Sequence, residues 1–370
     1  MSQTVLITGG AGFIGSHVAN ELLAHGYRVR VLDALASQVH GADRKRPCYL
    51  HEDVELIRGD IRDADVLDRA LNGVVAVYHF VALVGVGQSM YQIEQYTSVN
   101  NLGTAMLLER VAKKRIRKLI VASSMSVYGE GLYELPSGEI CTTAGRTVEQ
   151  LRCHEWEMKT SGGQVLRPLP TPEWKTPALA SIYALSKFDQ EQMCLITGRA
   201  YGVPTVALRF FNVYGPNQAL SNPYTGVLAI FASRLLNNQR PMIFEDGAQL
   251  RDFVSVYDVA RACRLALESD AADVAVNIGS GETITIRQIA ERLAAVLDKD
   301  VEPEITGNYR VGDIRHCYPD ISLAKKVLGY SPAVTLELGL EDLAAWLSEQ
   351  QAHDNFQEMQ AELAGRGLVV

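Results

Sequence analysis

The chain has 370 residues, of which 47% are hydrophobic and 21% charged, the composition of an ordinary globular protein large enough for more than one hydrophobic core. Its formal net charge of −8 argues against general nucleic-acid binding, and it contains no stretch of about 18 apolar residues that could span a membrane. Because no basic segment precedes the first apolar run, we expect no secretory leader and predict a cytoplasmic protein whose six cysteines stay reduced.

The first fifty residues predict a strand, a glycine-rich turn, a helix and a second strand. Residues 4–8 form an apolar, β-branched run typical of a buried parallel strand, and RVRVLD at 28–33 forms another. Gly9, Gly12 and Gly15 follow the first strand, and a helical pattern runs from about Phe13 to His25. Glycines at this spacing let the backbone turn tightly and approach a diphosphate at the start of the helix. The stretch therefore predicts a dinucleotide site.

Asp33 closes the second strand of this unit. Its carboxylate can accept hydrogen bonds from an adenosine ribose diol and would repel a 2′-phosphate, which favours NAD over NADP. The cations Arg28 and Arg30 lie nearby and keep NADP as an alternative.

Strands and helices continue to alternate after Asp33. We predict a third strand that ends at Asp60–Ile61, a fourth strand at 75–83 and a fifth strand at 118–124. Helices are predicted between them, at 63–72 and 100–114. This order predicts an α/β fold with a doubly wound parallel sheet, whose ligands bind at the carboxyl ends of the strands. Asp60, Ala82 and Ser124 fall at such ends.

The stretch SIYALSK at 181–187 places Tyr183 and Lys187 four residues apart, on one face of a helix. By itself this spacing fits an aromatic ring resting on an aliphatic stem as well as a catalytic pair. In a catalytic pair, the ammonium and the positive nicotinamide ring would lower the pKa of the phenol toward working pH.

Motifs along almost the whole chain resemble the extended short-chain dehydrogenases/reductases, specifically the NAD-dependent nucleotide-sugar epimerases and dehydratases. They are TGGAGFIGSH (8–17), GDIRD (59–63), VNNLGT (99–104), SSMSVYGE (123–130), YALSK (183–187), RFFNVYGP (209–216), RDFVSVYDVA (251–260), NIGSGE (277–282) and RVGDIRHCYPDIS (310–322). The resemblance implies a Rossmann domain with a smaller C-terminal substrate lobe. We expect the NAD-binding Rossmann domain in 1–212, with an insertion at about 130–178, and in a returning segment at 248–270, and the substrate-binding lobe in 213–247 and 271–370.

The resemblance also implies roles for matching residues. Tyr183 would be the acid/base, Lys187 would hold the nicotinamide ribose, and Ser124 would bond the reacting sugar oxygen. The expected contacts of NAD are Gly9, Gly12, Phe13, Ile14, Gly15, Asp33, Asp60, Ile61, Ala82, Asn100, Tyr183 and Lys187. The expected contacts of a nucleotide-diphosphate sugar are Ser124, Ser126, Asn212, Arg251 and Arg310. Arg315 fits a diphosphate or a salt bridge equally well. Family members usually form homodimers through two helices, which match 100–114 and 181–202 here.

The residues after Ser124 restrict the set of reactions that this chain could catalyse. Dehydratases of the family carry acidic residues there, whereas this chain has Met125 and Ser126, which disfavours a 4,6-dehydratase. A 4-epimerase and a 4-ketosugar reductase remain, and Asp33 favours a retained NAD and hence the epimerase. A regulator that only binds NAD is disfavoured because such members usually lose the tyrosine or the lysine. The substrate would be a nucleotide-linked hexose or 6-deoxyhexose, with the resemblance slightly favouring the family's dTDP-L-rhamnose 4-epimerases over its UDP-glucose 4-epimerases.

Two further segments give weaker expectations. The insertion carries Cys141, Cys153 and His154, but a structural zinc site needs paired cysteine knuckles, so we expect no metal. Residues 341–365 are predicted to be helical and to face solvent toward their end.

Overall fold

The computed structural model describes residues 3–141, 145–224, 226–310 and 312–369. The strands are β1 (Thr4–Thr8), β2 (Arg28–Asp33), β3 (Glu55–Arg58), β4 (Val74–His79), β5 (Lys118–Ser124), β6 (Leu132–Glu134), β7 (Ile140–Cys141), β8 (Arg167–Leu169), β9 (Thr205–Phe210), β10 (Asn212–Tyr214), β11 (Met242–Ile243), β12 (Leu250–Arg251), β13 (Phe253–Ser255), β14 (Val274–Ile278), β15 (Ile284–Thr285) and β16 (Glu304–Ile305).

The α-helices are α1 (Phe13–Ala24), α2 (Ser37–His40), α3 (Ala64–Ala70), α4 (Val86–Ser89), α5 (Ile93–Tyr96), α6 (Gly103–Val111), α7 (Val148–Arg152), α8 (Ile182–Tyr201), α9 (Val227–Leu236), α10 (Val256–Glu268), α11 (Ile286–Val296), α12 (Ser322–Leu328), α13 (Leu336–Leu347) and α14 (Phe356–Gly365). A π-helical turn, Thr97–Leu102, leads into α6, and a 3₁₀ helix, Met125–Tyr128, follows β5. Within the residues that the structure describes, no helix has both the length and the apolar content needed to cross a bilayer.

A seven-stranded parallel sheet in the order β14-β9-β5-β4-β1-β2-β3 organises the molecule, as the alternating pattern predicted. The strands are buried on both sides because helices cover each face. Helices α1 and α10 pack on one face, and α3, α6 and α8 on the other. Strand β1 lies between β2 and β4, and the chain runs from β1 outward to β2 and β3 before it crosses back to β4. A crevice therefore forms at the carboxyl ends of β1 and its two neighbours.

The smaller lobe has its own core, formed by α9, α11 and α13. The boundary that we expected at residue 271 does not match the sheet, because β14 lies beyond it and pairs with β9 as the edge strand. The apolar VAVNI of this strand is buried at its carboxyl half, which explains why it joins the large sheet rather than the lobe. The insertion forms a small antiparallel sheet in the order β7-β6-β8, followed by the loop that leads to α8.

The C-terminal helical segment differs from the expectation. It is divided into α13 and α14, and the last helix is not turned to solvent. Phe356, Met359 and Leu363 of α14 are buried against Phe244 of the lobe. Their spacing of three and four residues puts the three side chains on one face of the helix, which then packs on the lobe.

Candidate active site

The glycine-rich turn joins β1 to α1 at the crevice. Gly9 has a φ of +72°, and a Cβ there would lie 2.9 Å from the backbone nitrogen of Val81. A Cβ on Gly15 would lie 2.5 Å from the Cα of Gly10, so the packing of the chain itself requires both glycines. A Cβ on Gly12 would meet only the Gly9 carbonyl oxygen, at 3.4 Å. The space beside Gly12 is therefore open at the start of α1, where helix N–H groups can bind a diphosphate, and the contact of Gly12 with the cofactor stays a prediction.

Phe13 and Ile14 occupy the first turn of α1, where the sequence placed them. The Ile14 side chain packs on the core beneath the sheet, and the Phe13 ring meets the edge of the His17 ring at 5.8 Å. Backbone N–H groups in the first turn of a helix have no partner within the helix. These groups, rather than the two side chains, are the part of Phe13 and Ile14 that suits a diphosphate.

Asp33 is held at the end of β2 by the turn that follows and by the glycine loop. Its carboxylate accepts hydrogen bonds from the backbone nitrogens of Ala11, at 3.1 Å, and Leu35, at 2.8 Å. Arg30 is committed elsewhere, because its Nε donates to the Glu55 carboxylate at 2.8 Å and its guanidinium also bonds two backbone carbonyls. Arg30 is thus not placed to favour a 2′-phosphate, and the arrangement suits NAD.

Asp60 and Ile61 follow β3 but are engaged within the chain. Arg62 hydrogen-bonds the Asp60 carboxylate at 2.6 Å and lowers its pKa. The Ile61 side chain is buried and packs directly against Gly103 at the start of α6. The contact with adenosine that the resemblance implies for both residues stays a prediction.

Helix α8 carries the tyrosine and the lysine of SIYALSK. The Ser181 hydroxyl accepts a hydrogen bond from the backbone nitrogen of Ala184 at 3.1 Å and so begins the helix. Tyr183 then falls in the first turn and Lys187 one turn later on the same face. The backbone nitrogen of Tyr183 donates to the Ser89 hydroxyl at 3.0 Å, which ties the start of α8 to the segment that follows β4.

Ser124, at the end of β5, lies near the phenol of Tyr183. The Ser124 oxygen accepts hydrogen bonds from the hydroxyl of Ser126 at 2.9 Å and from its backbone nitrogen at 3.2 Å. Both lone pairs of Ser124 are thus occupied, so its own proton is available to a neighbouring oxygen. Burial raises the pKa of Tyr183, and the nearby Ser124 hydroxyl opposes that rise.

The lowering of the Tyr183 pKa that we expected from Lys187 is not found, because the ammonium is directed elsewhere. Lys187 is buried, and its Nζ donates to the side-chain oxygen of Gln190 at 2.7 Å. Gln190 donates in turn to the Thr104 hydroxyl at 2.9 Å and to the Val81 carbonyl at 3.1 Å. Burial lowers the pKa of Lys187 to about 8.

Asn100 and Ala82 lie beside this group. The amide of Asn100 is fully buried and exchanges hydrogen bonds with the backbone of Leu83, at 2.7 and 3.1 Å. It also donates to the Ser186 hydroxyl at 2.9 Å. Asn100 therefore fixes the segment after β4, which includes Ala82, against α8, and its contact with the cofactor stays a prediction.

Three amide side chains join the loops around the crevice. The amide nitrogen of Gln38, on α2, donates to the side-chain oxygens of Gln88 and Asn222, each at 3.1 Å. Gln38 follows β2 and Gln88 follows β4, whereas the glycine turn follows β1, which lies between these two strands. The amide contacts therefore bridge the loops on either side of the glycine turn and join them to the smaller lobe.

The substrate-lobe residues are placed less simply than the resemblance implied. The Arg251 guanidinium donates to the backbone carbonyls of Leu250, Ile314 and Arg315. Arg310 pairs with Asp313 at 2.9 Å and lies over the Phe244 ring at 4.8 Å. Asn212, on β10, is half-buried. Contact between these three side chains and a diphosphate or nucleoside stays a prediction.

Arg315 is not a diphosphate ligand in this arrangement. Its side chain is fully buried and bonds three carboxylates: Glu157 of the insertion at 2.5 Å, and Glu245 and Asp246 of the lobe at 2.9 and 2.6 Å. Arg146 of the insertion also pairs with Glu245, at 2.6 Å. Of the two interpretations that the sequence left open, the structure supports the salt bridge, although it is an internal one between the insertion and the lobe.

The residues that suggested zinc have separate surroundings. Cys141 is half-buried on β7, Cys153 is exposed after α7, and the His154 ring stacks against Trp156 at 5.2 Å. Among the described residues, no group of three or more His, Cys, Asp or Glu side chains is placed to hold a metal ion. That the protein needs no metal stays a prediction.

Sequence reasoning missed Gln190, His79 and Gln38. Gln190 lies three residues after Lys187, and His79 lies within the strand predicted at 75–83, so each was an ordinary polar residue in an apolar pattern. The one available signal was that both fall on positions facing the core, where a polar side chain needs a partner.

Comparison with known proteins agrees with this geometry. The NAD dependent epimerase/dehydratase family model matches residues 5–149 and 166–279. A dTDP-L-rhamnose 4-epimerase from Burkholderia thailandensis is 36% identical over 360 residues, covering 95% of this chain and 97% of that protein. The structure of a UDP-glucose 4-epimerase with UDP-glucose from Thermotoga maritima superposes with a TM-score of 0.77 at 30% identity, covering 94% of this chain and 99% of that chain. The structure of a UDP-glucose 4-epimerase complex with NAD from Thermus thermophilus gives a TM-score of 0.74, also at 30% identity and the same coverage.

Proposed function

As a member of the NAD-dependent epimerase/dehydratase family, this chain is an NAD-dependent enzyme of nucleotide sugars, and we propose that it inverts C4 of its sugar, with dTDP-L-rhamnose the favoured substrate. The similarity to the Burkholderia enzyme supports this choice of sugar over UDP-glucose. A nucleotide-linked hexose is the second candidate, and the Thermotoga enzyme supports it.

The observation that carries the proposal is the hydroxyl pair Ser126–Ser124 next to Tyr183. Ser126 donates to Ser124 at 2.9 Å, and Ser124 lies near the phenol, where it opposes the rise of the Tyr183 pKa. Elimination of water from the sugar needs a carboxyl group as a second proton donor, and the residues after Ser124 are Met125 and Ser126. The group therefore suits one proton transfer at one sugar oxygen, which is what a 4-epimerase or a 4-ketosugar reductase requires.

We assign the proton transfer to Tyr183. NAD supplies the hydride acceptor and donor when it is bound at the glycine turn. In its phenolate form, which the positive charge of a bound nicotinamide would favour, Tyr183 takes the proton of the C4 hydroxyl as the alcohol becomes a ketone. The phenol formed in this way gives the proton back when the ketone is reduced. Ser124 orients the same oxygen, and Lys187 holds the nicotinamide ribose. Inversion requires that the ketone turn within the crevice so that its opposite face is reduced.

Retention of the cofactor separates the epimerase from the reductase. The contacts of Gln38 with Gln88 and Asn222 join loops on both sides of the glycine turn, which favours a dinucleotide that stays bound between turnovers. An epimerase recovers its NAD in each cycle and needs no exchange, whereas a reductase must release oxidised cofactor. These contacts support the epimerase.

The test is incubation of the purified protein, without added cofactor, with dTDP-, UDP-, GDP- and CDP-linked sugars, followed by NMR of the products. We expect inversion at C4 of dTDP-L-rhamnose with no net NADH. Conversion that requires added NADH or NADPH would establish the reductase instead. A 4-keto-6-deoxy product would show that elimination occurs despite Met125 and Ser126. Bound NAD with no conversion of any sugar would indicate a regulator.

We also propose that the protein is a homodimer. Large apolar side chains are exposed on the two elements through which family members usually pair: Leu185 and Ile196 on α8 are 42% and 56% exposed, and Leu102 on the π-helical turn is 51% exposed. Light scattering after gel filtration tests this, and a mass near 40.6 kDa rather than twice that value would exclude it.

A further inference from the structure

The environment of Lys187 contains one residue that has no role in the reaction described so far. The Lys187 side chain is 3% exposed, and the hydrogen bond that the described residues provide to its ammonium is the one to Gln190, at 2.7 Å. Gln190 is itself fully buried. A buried ammonium without an acceptor is costly, so the side-chain oxygen of Gln190 is important to the charge on Lys187.

The orientation of the Gln190 amide is determined by its other contacts. Its nitrogen lies 3.1 Å from the Val81 carbonyl, which can only accept a hydrogen bond. It also lies 2.9 Å from the Thr104 hydroxyl, whose proton is already donated to the Asn100 carbonyl at 2.5 Å. The NH₂ group must therefore face Val81 and Thr104, and the oxygen must face Lys187.

His79 completes the group and has a determined proton position. Its Nε2 lies 2.7 Å from the Thr104 hydroxyl and its Nδ1 lies 2.8 Å from the Thr8 hydroxyl. Because the Thr104 proton is committed, Nε2 carries the hydrogen and Nδ1 accepts from Thr8. Burial lowers the pKa of His79 to about 3, so the imidazole is neutral at working pH and does not compete with Lys187.

The other titratable groups that face Lys187 do not replace Gln190. On α8 these are Tyr183, Glu191 and Cys194. Glu191 forms a two-bond pair with Arg209, at 2.6 and 2.9 Å, and burial raises the pKa of Cys194 to about 12, which keeps it a thiol. Among the described residues, the Lys187 ammonium donates its hydrogen bond to Gln190 and not to the Tyr183 phenol.

We propose that Gln190 is a positioning residue, whose fixed side-chain oxygen holds the Lys187 ammonium in place and keeps it charged for its work on the nicotinamide ribose. The effect on turnover rests on the proposed epimerase function, whereas the effect on Lys187 does not. Burial already brings the pKa of Lys187 down to about 8, so removal of the acceptor brings the loss of charge into the neutral range.

The direct test measures Lys187 itself. Lysine labelled with carbon-13 at Cε is followed by NMR across a pH titration, and the Lys187 signal is assigned by its loss in Lys187→Met. We expect the midpoint near 8 in the parent protein, and a midpoint lower by about one pH unit or more in Gln190→Met, which keeps the side-chain length and removes the oxygen. The matched control is Gln192→Met on the same helix, whose amide bonds Glu191 and which should leave the midpoint unchanged. An unchanged midpoint in a folded Gln190→Met would overturn the proposal.

The second test asks whether Gln190 acts through Lys187. The high-pH limit of turnover should move down by the same amount in Gln190→Met, so that activity falls about tenfold for each pH unit above the new midpoint and recovers at lower pH. NAD affinity is measured in a double-mutant cycle with Lys187→Met, and Gln190→Met should have no further effect when Lys187 is already absent. If the effects of the two substitutions on NAD affinity are additive, Gln190 does not act through Lys187 and has only a structural role. If no sugar is converted, the NMR midpoint and the cycle still decide the inference.

Discussion

The oxygen of Ser124, close to the phenol of Tyr183, accepts a hydrogen bond from the hydroxyl of Ser126 at 2.9 Å. Three hydroxyl groups from β5, the following 3₁₀ helix and α8 therefore lie close together, with the proton of Ser124 available to the phenol. Each of these three hydroxyl groups can be removed by a substitution that deletes a single oxygen atom. The contribution of each group to turnover can therefore be measured separately.

Tyr183→Phe should leave NAD bound while turnover falls by about 10²- to 10⁴-fold, because the phenol oxygen carries the proton and the ring keeps the packing. NAD content is read from the absorbance of the denatured protein, and turnover from NMR of the sugar. Tyr201→Phe, at the exposed end of the same helix, is the matched control and should be unaffected. Turnover within a few-fold of the parent enzyme would remove Tyr183 from the mechanism.

Ser126→Ala should lower kcat about tenfold with little change in KM, because Ser124 loses the donor that directs its proton toward Tyr183. Ser124→Ala should have the larger effect, since it removes the hydroxyl whose proton is available to the phenol. Steady-state kinetics on the two variants check this order, with Ser348→Ala on the exposed end of α13 as the control. A larger loss in Ser126→Ala than in Ser124→Ala would contradict the direction of the hydroxyl chain.

His79 should make the fold sensitive to acid. Its folded-state pKa of about 3 lies below its ordinary value of 6.5. At pH values between these two, His79 therefore binds a proton in the unfolded chain but not in the folded chain. The stabilisation is complete above 6.5 and is lost as the pH falls toward 3, at up to about 1.4 kcal/mol per pH unit. Urea unfolding at several pH values in this window should show that slope reduced in His79→Asn. An equal slope in both proteins would contradict a neutral, buried imidazole.

Arg315→Met should destabilise the protein by about 3 kcal/mol, because Glu245 is buried and would keep only Arg146 as its cation. The exposed pair Arg292–Glu337, at 2.7 Å, offers the control: Arg292→Met should cost less than about 1 kcal/mol. Chemical unfolding gives both values. Similar costs for the two variants would show that the internal network contributes no more than a surface pair.

The sheet and the glycine turn were predictable because their causes are local. Strands buried on both faces are continuous apolar runs, and β1 and β2 match the predicted 4–8 and 28–33. Gly9 is required by its positive φ, and Gly15 by its contact with Gly10 in the same turn, so the motif is visible in the sequence. Tyr183 and Lys187 share a face because helical geometry alone puts them there.

The direction of the Lys187 ammonium could not be predicted, because it depends on contacts between distant parts of the chain. Gln190 reaches Val81 and Thr104, which are more than eighty residues away in sequence. The burial of Arg315 has the same origin, since its partners come from the insertion and from the lobe. By contrast, the buried face of α14 could be predicted, because Phe356, Met359 and Leu363 recur at helical spacing in the sequence. The expectation of a solvent-facing helix was wrong because it did not take this spacing into account.

The ion pairs around Arg315 have a consequence for chimeras between related enzymes. Glu157 and Arg146 belong to the insertion, whereas Arg315, Glu245 and Asp246 belong to the lobe. A donor segment grafted alone into another epimerase would bring one carboxylate and one guanidinium into a recipient that has no matching charges. The insertion thus depends on the lobe for its charge partners. Exchange of the insertion between homologues should give a folded protein only when these five positions are transferred together.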